Sequence, residues 1–351
     1  MRTFLLILAV LVAIPLVLLL LLGIAMLDVQ MTLLNAGFWK ASVLQNQVYT
    51  RLPELGIDVL YEQLASAPPD SEGGLVAVEL QETFERQELV DFVAAMVPPA
   101  WMQRQVEQNV DALFAWLDGE SSYPAVQIDT GGLVDHIEGE GGRDAVQQLL
   151  AHLPPCEPGE RFDMPAEGFF PDCRPSEEEL NEVLDEVLPQ LAGAIPTGAS
   201  YQAALEAGEI TPEMEEGMRG IQQAYRAYRL ATWGVWGACL LLLGLILLLA
   251  ARSVKGLFQW AGWPLLTAGG LGLAGMALGY LSAWVLVEYG IAQLQIDTGF
   301  SQALWAYVQS LLVPLLQAVA VRGALLAGGM VLVGFIAVVA AAFIPHTRQG
   351  N

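Results

Sequence analysis

The unbroken apolar run from Leu230 to Ala251 constrains this chain more than any other feature of its sequence. A helix of that length crosses the hydrocarbon core of a bilayer, which is about 30 Å thick. Arg252 and Lys255 follow the run at once, and basic residues beside a membrane helix favour the cytoplasmic side. The run therefore predicts a membrane helix with Ala251 towards the cytoplasm and Leu230 on the opposite side.

Four runs of this kind account for the 54% hydrophobic content, which exceeds the roughly 45–50% of a soluble globular protein. We predict a multi-pass protein of the cell membrane with both termini in the cytoplasm. Its segments are an N-terminal transmembrane anchor at 1–27, an acidic extracytoplasmic domain at 28–229, a second membrane helix at 230–251, a cytoplasmic loop at 252–256, a third helix at 257–287, a second extracytoplasmic loop at 288–322, a fourth helix at 323–345 and a cytoplasmic tail at 346–351.

The acidic residues are concentrated in the segment 28–229, which holds 36 of the 38 acidic residues and 10 of the 15 basic ones. Such a surface repels nucleic acid and anionic lipid headgroups, and it favours cations or basic partners. The alternative is that the charge only keeps an exported domain soluble.

Two of the three cysteines, Cys156 and Cys173, lie in a proline-rich part of the predicted extracytoplasmic domain. We expect them to form a disulfide, which would contribute about 3 kcal/mol in the chain-entropy model. Two free thiols are the alternative. Cys239 falls inside the second apolar run, where a buried thiol is the ordinary expectation.

The extracytoplasmic domain is predicted to be α+β, mostly helical, with a small sheet. Apolar residues at helical spacing predict helices over 31–67, after Thr83, over 102–117 and over 143–153, and Ser176 and Glu179 form a capping box that opens a helix to Leu188. Strands are predicted at 75–81, 123–129 and 289–297, the acidic segment 131–142 is predicted to be a loop, and the rest of 288–322 an amphipathic helix at the membrane surface or against the domain.

An identical pentapeptide occurs twice, at Gln127–Gly131 and at Gln295–Gly299. In each copy an apolar strand would stop at Asp129 or Asp297, and Thr130 or Thr298 would cap the following turn. We therefore expect both strands to join the strand at 75–81 in one sheet, so that the second loop docks onto the first domain.

The two Asp-Thr-Gly turns, Asp129-Thr130-Gly131 and Asp297-Thr298-Gly299, resemble the signature of the pepsin-like aspartic proteases. That resemblance implies paired carboxylates that share a proton and activate water. The family places each motif inside a β-rich lobe, and it has a small Ser or Ala where Gly132 and Phe300 stand here. The pattern therefore favours two strand-to-helix junctions over a protease.

A cation site is a further interpretation of the acidic segment. Asp129, Asp135, Glu138 and Glu140 supply the carboxylates that calcium prefers, although the ligand order of an EF-hand is absent, and a solvated loop is the alternative. His136 and His152 lack the spacing of a zinc site. No cofactor motif is present in the sequence, and no cofactor is expected.

The third apolar run is rich in glycine, and Gly275 and Gly279 have the spacing that lets helix backbones approach closely. We favour packing within the chain and keep a homo-oligomer through these residues as the alternative. None of the predicted runs has an ionisable residue at mid-depth, which counts against ion-coupled transport.

These features predict a non-enzymatic membrane protein whose acidic domain binds an unidentified protein or ligand outside the cytoplasm, as a scaffold or accessory subunit. The alternative is a transporter or a membrane-embedded enzyme with a pocket between the glycine-rich spans and the outer domain. The sequence indicates membrane lipid as a partner and excludes nucleic acid.

Overall fold

The computed structural model describes residues 2–66, 80, 83–121, 123–151, 153–157, 173–193, 195, 211–250, 253–298 and 302–344. These residues are almost entirely helical. The helices are α1 (Arg2–Met31), α2 (Ala36–Gln45), α3 (Val48–Ser66), α4 (Arg86–Met96), α5 (Pro99–Asp118), α6 (Gly131–Glu138), α7 (Glu140–Leu150), α8 (Glu177–Gly193), α9 (Pro212–Ala250), α10 (Val254–Thr298) and α11 (Gln302–Phe343).

The chain folds into two compact units. Unit 1 comprises Met1–Trp39, Arg219–Leu294 and Gln309–Asn351, and unit 2 comprises Lys40–Met218 and Gln295–Val308.

Unit 1 contains the apolar helices. Four helical segments are long and apolar enough to cross a membrane, namely Ile7–Met31, Glu213–Leu249, Val254–Gly290 and Gln302–Phe343. Many large apolar side chains on them are exposed, among them Leu248 at 85% and Phe343 at 82%. Such surfaces are stable in hydrocarbon and costly in water, and the four helices match the four spans that the sequence predicts in length and composition.

Glycines bring the backbones of α10 and α11 together inside unit 1. A Cβ placed on Gly262 would lie 2.9 Å from the Gly334 carbonyl oxygen, and one on Gly334 would lie 2.7 Å from the Leu266 nitrogen. A side chain at either position would collide with the facing backbone. Small residues therefore set this helix–helix distance, as they do in many membrane proteins.

Unit 2 has two apolar cores built from short helices. The first joins α6, α7 and α8 through Leu133, Ile137, Leu150, Leu180, Leu184, Leu188 and Ala192. The second, around Ile57, Leu80, Phe84, Leu89 and Val90, joins α3 and α4. Apolar residues at helical spacing predicted most of these helices. In both cores such residues form the helix faces that pack together.

The predicted small sheet is not supported, because no sheet is found among the described residues. In the described part of the chain, the segment 123–129 is non-helical and outside any sheet, with Gln127 at an isolated β-bridge, and the segment 289–297 belongs to α10. Once a helix has formed, each further residue that joins it adds one backbone hydrogen bond. The helix α10, already formed through the third span, therefore extends through 289–297 at little cost in free energy. The strand predicted at 75–81 lies outside the described residues apart from Leu80, which is helical.

Two other predicted elements differ from the structure. The acidic segment 131–142 is mostly helical, because α6 covers Gly131–Glu138 and α7 begins at Glu140. Its apolar residues Leu133 and Ile137 are one helical turn apart and are buried in the first core. The segment after Gln302 is helical and begins against α3 in unit 2, as predicted, but it is not separate from the last span, since α11 is continuous from Gln302 to Phe343.

The helix boundaries agree with the local signals. Gly119 ends α5 with φ 88°, a left-handed conformation that glycine adopts without strain. The Ser176 hydroxyl donates to a Glu179 carboxylate oxygen at 2.8 Å, and the Glu179 N–H donates back to the Ser176 oxygen at 3.4 Å. The N-cap of α4 is Glu85, two residues after the predicted Thr83.

The beginning of α11 is anchored inside unit 2 by α3. The two carboxylate oxygens of Glu62 accept hydrogen bonds from the N–H groups of Gln302, at 2.8 Å, and Ala303, at 3.2 Å. The Tyr307 hydroxyl donates to the Val48 carbonyl oxygen at 3.3 Å. An anion at a helix N-terminus satisfies unpaired N–H groups and interacts favourably with the helix dipole.

Candidate functional site

A row of polar side chains on α5 holds the extended segment that contains the first pentapeptide. The row consists of Trp101, Gln105 and Asn109, which are four residues apart and therefore lie on one face of the helix. We call this row the amide ladder. It binds the backbone of Gln127 and Asp129.

Each amide of the ladder makes two hydrogen bonds to one residue of the segment. The Asn109 Oδ1 accepts from the Gln127 N–H at 2.8 Å, and its Nδ2 donates to the Gln127 carbonyl oxygen at 2.8 Å. The Gln105 Oε1 accepts from the Asp129 N–H at 2.9 Å, and its Nε2 donates to the Asp129 carbonyl oxygen at 3.2 Å. The Trp101 Nε1 also donates to that carbonyl, at 3.1 Å. Side chains of α5 thus take up the backbone N–H and carbonyl groups of Gln127 and Asp129.

An open apolar cavity of about 510 Å³ lies on α5 beside the amide ladder. We call it the groove. It is lined by Leu52 of α3, by Trp101, Met102, Gln105, Val106, Asn109, Val110 and Leu113 of α5, and by Val126 and Ile128 of the extended segment. Leu113, Val126 and Ile128 remain 36–43% exposed. None of these lining residues is ionisable.

The groove lies along the apolar face of α5. The spacing of Met102, Val106, Val110 and Leu113 is typical of a face that packs into a core, but these residues line the open groove. Gln105, at 9% exposure, is buried instead. A polar residue is stable there because its amide makes two backbone hydrogen bonds. The sequence signal for this buried polar contact was the pair of amides four residues apart, Gln105 and Asn109. The prediction followed the apolar residues of the same helix instead.

Two tyrosines of α3, and Arg86 of α4 beside them, have raised pKa values. Burial raises the pKa of Tyr49 above its usual value, and the charge of Glu107 adds to this effect. Burial also raises the pKa of Tyr61, partly offset by Arg86. Hydrogen bonds to Asp58 raise the pKa of Arg86 itself. None of these shifts prepares a group for acid–base catalysis at neutral pH.

The acidic candidates for a cation site are only partly brought together. Asp129 and Asp135 line one cavity of about 750 Å³, which does not include Glu138 or Glu140. The Asp129 Oδ1 accepts a hydrogen bond from the Gly131 N–H at 3.1 Å, which supports the start of α6. Among the described residues, no three His, Cys, Asp or Glu side chains form a group that could hold a metal ion.

The two pentapeptides do not form a matched pair of strand-to-helix turns. The first copy is non-helical up to Asp129, and Thr130 stands at the N-cap position of α6 without the side-chain capping hydrogen bond that was predicted. In the second copy, Asp297 and Thr298 end the helix α10, and Gly299 lies outside the described residues. A protease of the pepsin-like type needs both turns in β-rich lobes, and the second copy lacks this setting.

Cys156 and Cys173 form a disulfide in unit 2. The segments that carry them also meet through the backbone, where the Cys156 N–H donates to the Arg174 carbonyl oxygen at 3.1 Å and the Arg174 N–H donates to the Pro154 carbonyl oxygen at 2.7 Å. Arg174 and Cys156 line a cavity of about 690 Å³ together with Glu157, Glu177 and Glu179. The disulfide therefore holds the start of α8 against the end of α7. Cys239 is a buried free thiol in unit 1, as expected.

The predicted packing of Gly275 and Gly279 within the chain was wrong. No described atom lies within 4 Å of a Cβ placed on either glycine, whereas Gly262, Gly269 and Gly334 make the close contacts between α10 and α11. The spacing of glycines identifies a face that permits close approach, but it does not choose between several such faces on one helix.

Comparison of the chain with protein-family models, with curated proteins and with solved structures found no match. The functional argument therefore rests on the residues and their geometry.

Proposed function

We propose that this chain is a non-enzymatic membrane protein, a scaffold or accessory subunit, whose unit 2 binds a segment of a partner protein in the groove on α5. The observation that carries the proposal is an apolar face of α5 that borders a cavity, where Leu113, Val126 and Ile128 remain 36–43% exposed. Such a face is costly in water, and a partner that covers it recovers the free energy of burial.

The chemistry of the groove defines the segment that would fit. Apolar side chains would occupy the space between α5 and Leu52, in the manner of an amphipathic helix in a groove. The surrounding chain holds most of the acidic residues, so a net basic segment would be attracted and an acidic one repelled. A lining without ionisable residues favours binding over catalysis.

Photo-crosslinking in the native membrane tests this proposal. A photoreactive amino acid in place of Leu113 is expected to give one discrete adduct, whose crosslinked segment is apolar and net basic. A matched probe at Glu178, which is exposed on α8, should not give that adduct. Val106→Lys introduces a charge into the groove and should abolish the Leu113 adduct. Equal adducts from both positions, or an adduct that survives Val106→Lys, would contradict the proposal.

We also propose that residues 28–229 lie outside the cytoplasm and that both termini lie inside. Arg252 and Lys255 between the second and third spans support this orientation, and so does the Cys156–Cys173 disulfide, which persists in oxidising compartments. An impermeant maleimide applied to intact cells should label Glu178→Cys and should label Gln349→Cys only after permeabilisation. The reverse labelling pattern would contradict the orientation.

A homo-oligomer through Gly275 and Gly279 is proposed for the open glycine face of α10. Gly275→Ile combined with Gly279→Ile should lower the fraction of crosslinked dimer in nanodiscs several-fold, because bulky side chains prevent close approach. Gly234→Ile is the matched control, since Gly234 also has no described atom near its Cβ position. An equal dimer fraction in all three proteins would exclude this interface.

A further inference from the structure

A buried carboxyl group lies inside the helix bundle of unit 1. Asp28 was predicted to be the first residue beyond the first span, but α1 continues to Met31 and the Asp28 side chain is only 2% exposed. Its Oδ1 has no hydrogen-bond partner among the described residues. A buried carboxylate with an unsatisfied oxygen is costly, and such residues in membrane helices are most often functional.

Gly323 of α11 provides the space for this carboxyl group. A Cβ placed on Gly323 would lie 3.0 Å from the Asp28 Oδ2 and 2.6 Å from the Met276 sulfur. Any side chain at this position would therefore displace either the carboxyl group or the methionine. The site is thus formed by three helices, with Asp28 on α1, Met276 on α10 and Gly323 on α11.

Arg322 directly precedes Gly323 in the sequence, and its positive charge acts on Asp28 electrostatically. Its guanidinium is held by other groups: Nη1 donates to the Met31 carbonyl oxygen at 3.3 Å, and Cζ lies 4.5 Å from the centroid of the Phe38 ring. Arg322 is exposed although Asp28 is buried. Arg322 therefore supplies a fixed counter-charge at the solvent-accessible side of the site.

Tyr228 of α9 is the second titratable group that faces Asp28. Its hydroxyl donates to the Met26 carbonyl oxygen at 3.0 Å, so this proton is not directed at the carboxyl group. The third helix of the site, α10, contributes Met276, which does not titrate. Among the described residues, Arg322 and Tyr228 are the charged or titratable groups that interact electrostatically with Asp28.

We propose that Asp28 is a proton-binding site of the membrane bundle. In the loaded form a proton from water is bonded to the carboxyl group, which is then neutral and able to donate a hydrogen bond. In the empty form the proton has returned to water, and the carboxylate faces the Arg322 charge. A metal ion is a poor alternative, because Arg322 repels cations and calcium needs six or more oxygen ligands.

Proton binding would change the contact between α1 and α11. The carboxylate attracts Arg322, and the neutral acid does not, so the two helices are held together more strongly in the empty form. The proposal is independent of the groove, because every residue in it belongs to unit 1.

Infrared difference spectroscopy of the full-length protein in lipid nanodiscs tests the proposal. Between about pH 4 and about pH 10, an interval that lies between the ordinary pKa values of carboxyl and lysine side chains, lowering the pH should produce a carbonyl band of a weakly hydrogen-bonded carboxylic acid. Asp28→Asn should abolish this band, and Glu178→Gln, which changes an exposed carboxyl group, should retain it. Retention of the band in Asp28→Asn would overturn the proposal.

A second variant keeps Asp28 in place and so does not depend on the folding of Asp28→Asn. Arg322→Gln removes the counter-charge, and the midpoint of the band should move to higher pH by about one unit, since a close opposite charge is worth roughly 1–3 units. Tyr228→Phe retains the packing and should leave the band present. A midpoint unchanged in Arg322→Gln would overturn the assignment of the band to this site.

Discussion

The two copies of the pentapeptide have the same sequence and different structures. Gln127–Gly131 is extended and leads into α6, whereas the described residues of the second copy, Gln295–Thr298, are the end of α10. The first copy is held by side chains of another helix, and the second by the hydrogen bonds of its own helix. Five residues therefore do not determine a conformation, and the partners of their backbone groups decide it.

The largest effect should come from removing the amide ladder. In Gln105→Ala combined with Asn109→Ala, the N–H and carbonyl groups of Gln127 and Asp129 lose side-chain partners, and we expect the local stability to fall by about 3 kcal/mol. Hydrogen exchange measured by mass spectrometry should accelerate in a peptide covering 123–130.

The second copy is the internal control for the ladder. Exchange in a peptide covering 291–298 should not change in the double variant, because those residues hydrogen-bond within α10. Gln108→Ala, an exposed amide on the same helix, should change neither peptide beyond about 0.5 kcal/mol. Equal acceleration in both peptides would mean that the ladder supports the whole unit and does not hold the first copy specifically.

Alanine substitutions of the two aspartates should have smaller effects on helix stability, and the two effects should have opposite signs. Asp129→Ala removes the acceptor of the Gly131 N–H at the start of α6 and should destabilise that helix by about 1 kcal/mol. Asp297→Ala removes a negative charge from the last turn of α10, where the helix dipole disfavours it, and should stabilise that helix by about 0.3–1 kcal/mol.

Local hydrogen exchange of the two helix ends provides the measurement for this pair. The comparison is internal, because the substituted residue and its neighbours in the pentapeptide are the same. If both substitutions destabilise their helices, the second copy is not at a helix C-terminus in solution, and the contrast between the copies would be lost.

The smallest effects should come from the groove. Leu113→Gln should change the stability of the free protein by less than about 1 kcal/mol, because its side chain is already 39% exposed. Leu184→Gln, in the first core at 2% exposure, is the matched buried control and should cost several times more. Equal losses from both, measured by thermal unfolding in detergent, would show that the groove is closed in solution.

The parts predicted correctly from the sequence depend on the length and hydropathy of one segment or on residues that are neighbours in the sequence. Four apolar runs of sufficient length predicted four membrane helices, since only a helix satisfies its own backbone in lipid. The capping box at Ser176 depends on neighbouring residues and was readable for that reason. The pairing of Cys156 with Cys173 required only two cysteines in one segment that was predicted to be exported.

The parts that were missed depend on which face of an element meets which neighbour. Periodicity identified the apolar face of α5, but it could not reveal that Gln105 would be buried and the apolar face left open. Likewise, hydropathy placed Asp28 at the edge of a span, and only the convergence of three helices enclosed it. Spacing and hydropathy are properties of one segment, whereas burial is a property of packed segments.

The sequence by itself determined that this chain has four helices long and apolar enough to cross a membrane, because that property depends on composition and length. Tertiary structure alone decided the two conformations of the pentapeptide, the contacts of the glycines and the enclosure of Asp28. Each of these depends on a backbone group, a space or a charge that a residue far away in the chain supplies. A local sequence pattern contains no information about which distant residues meet.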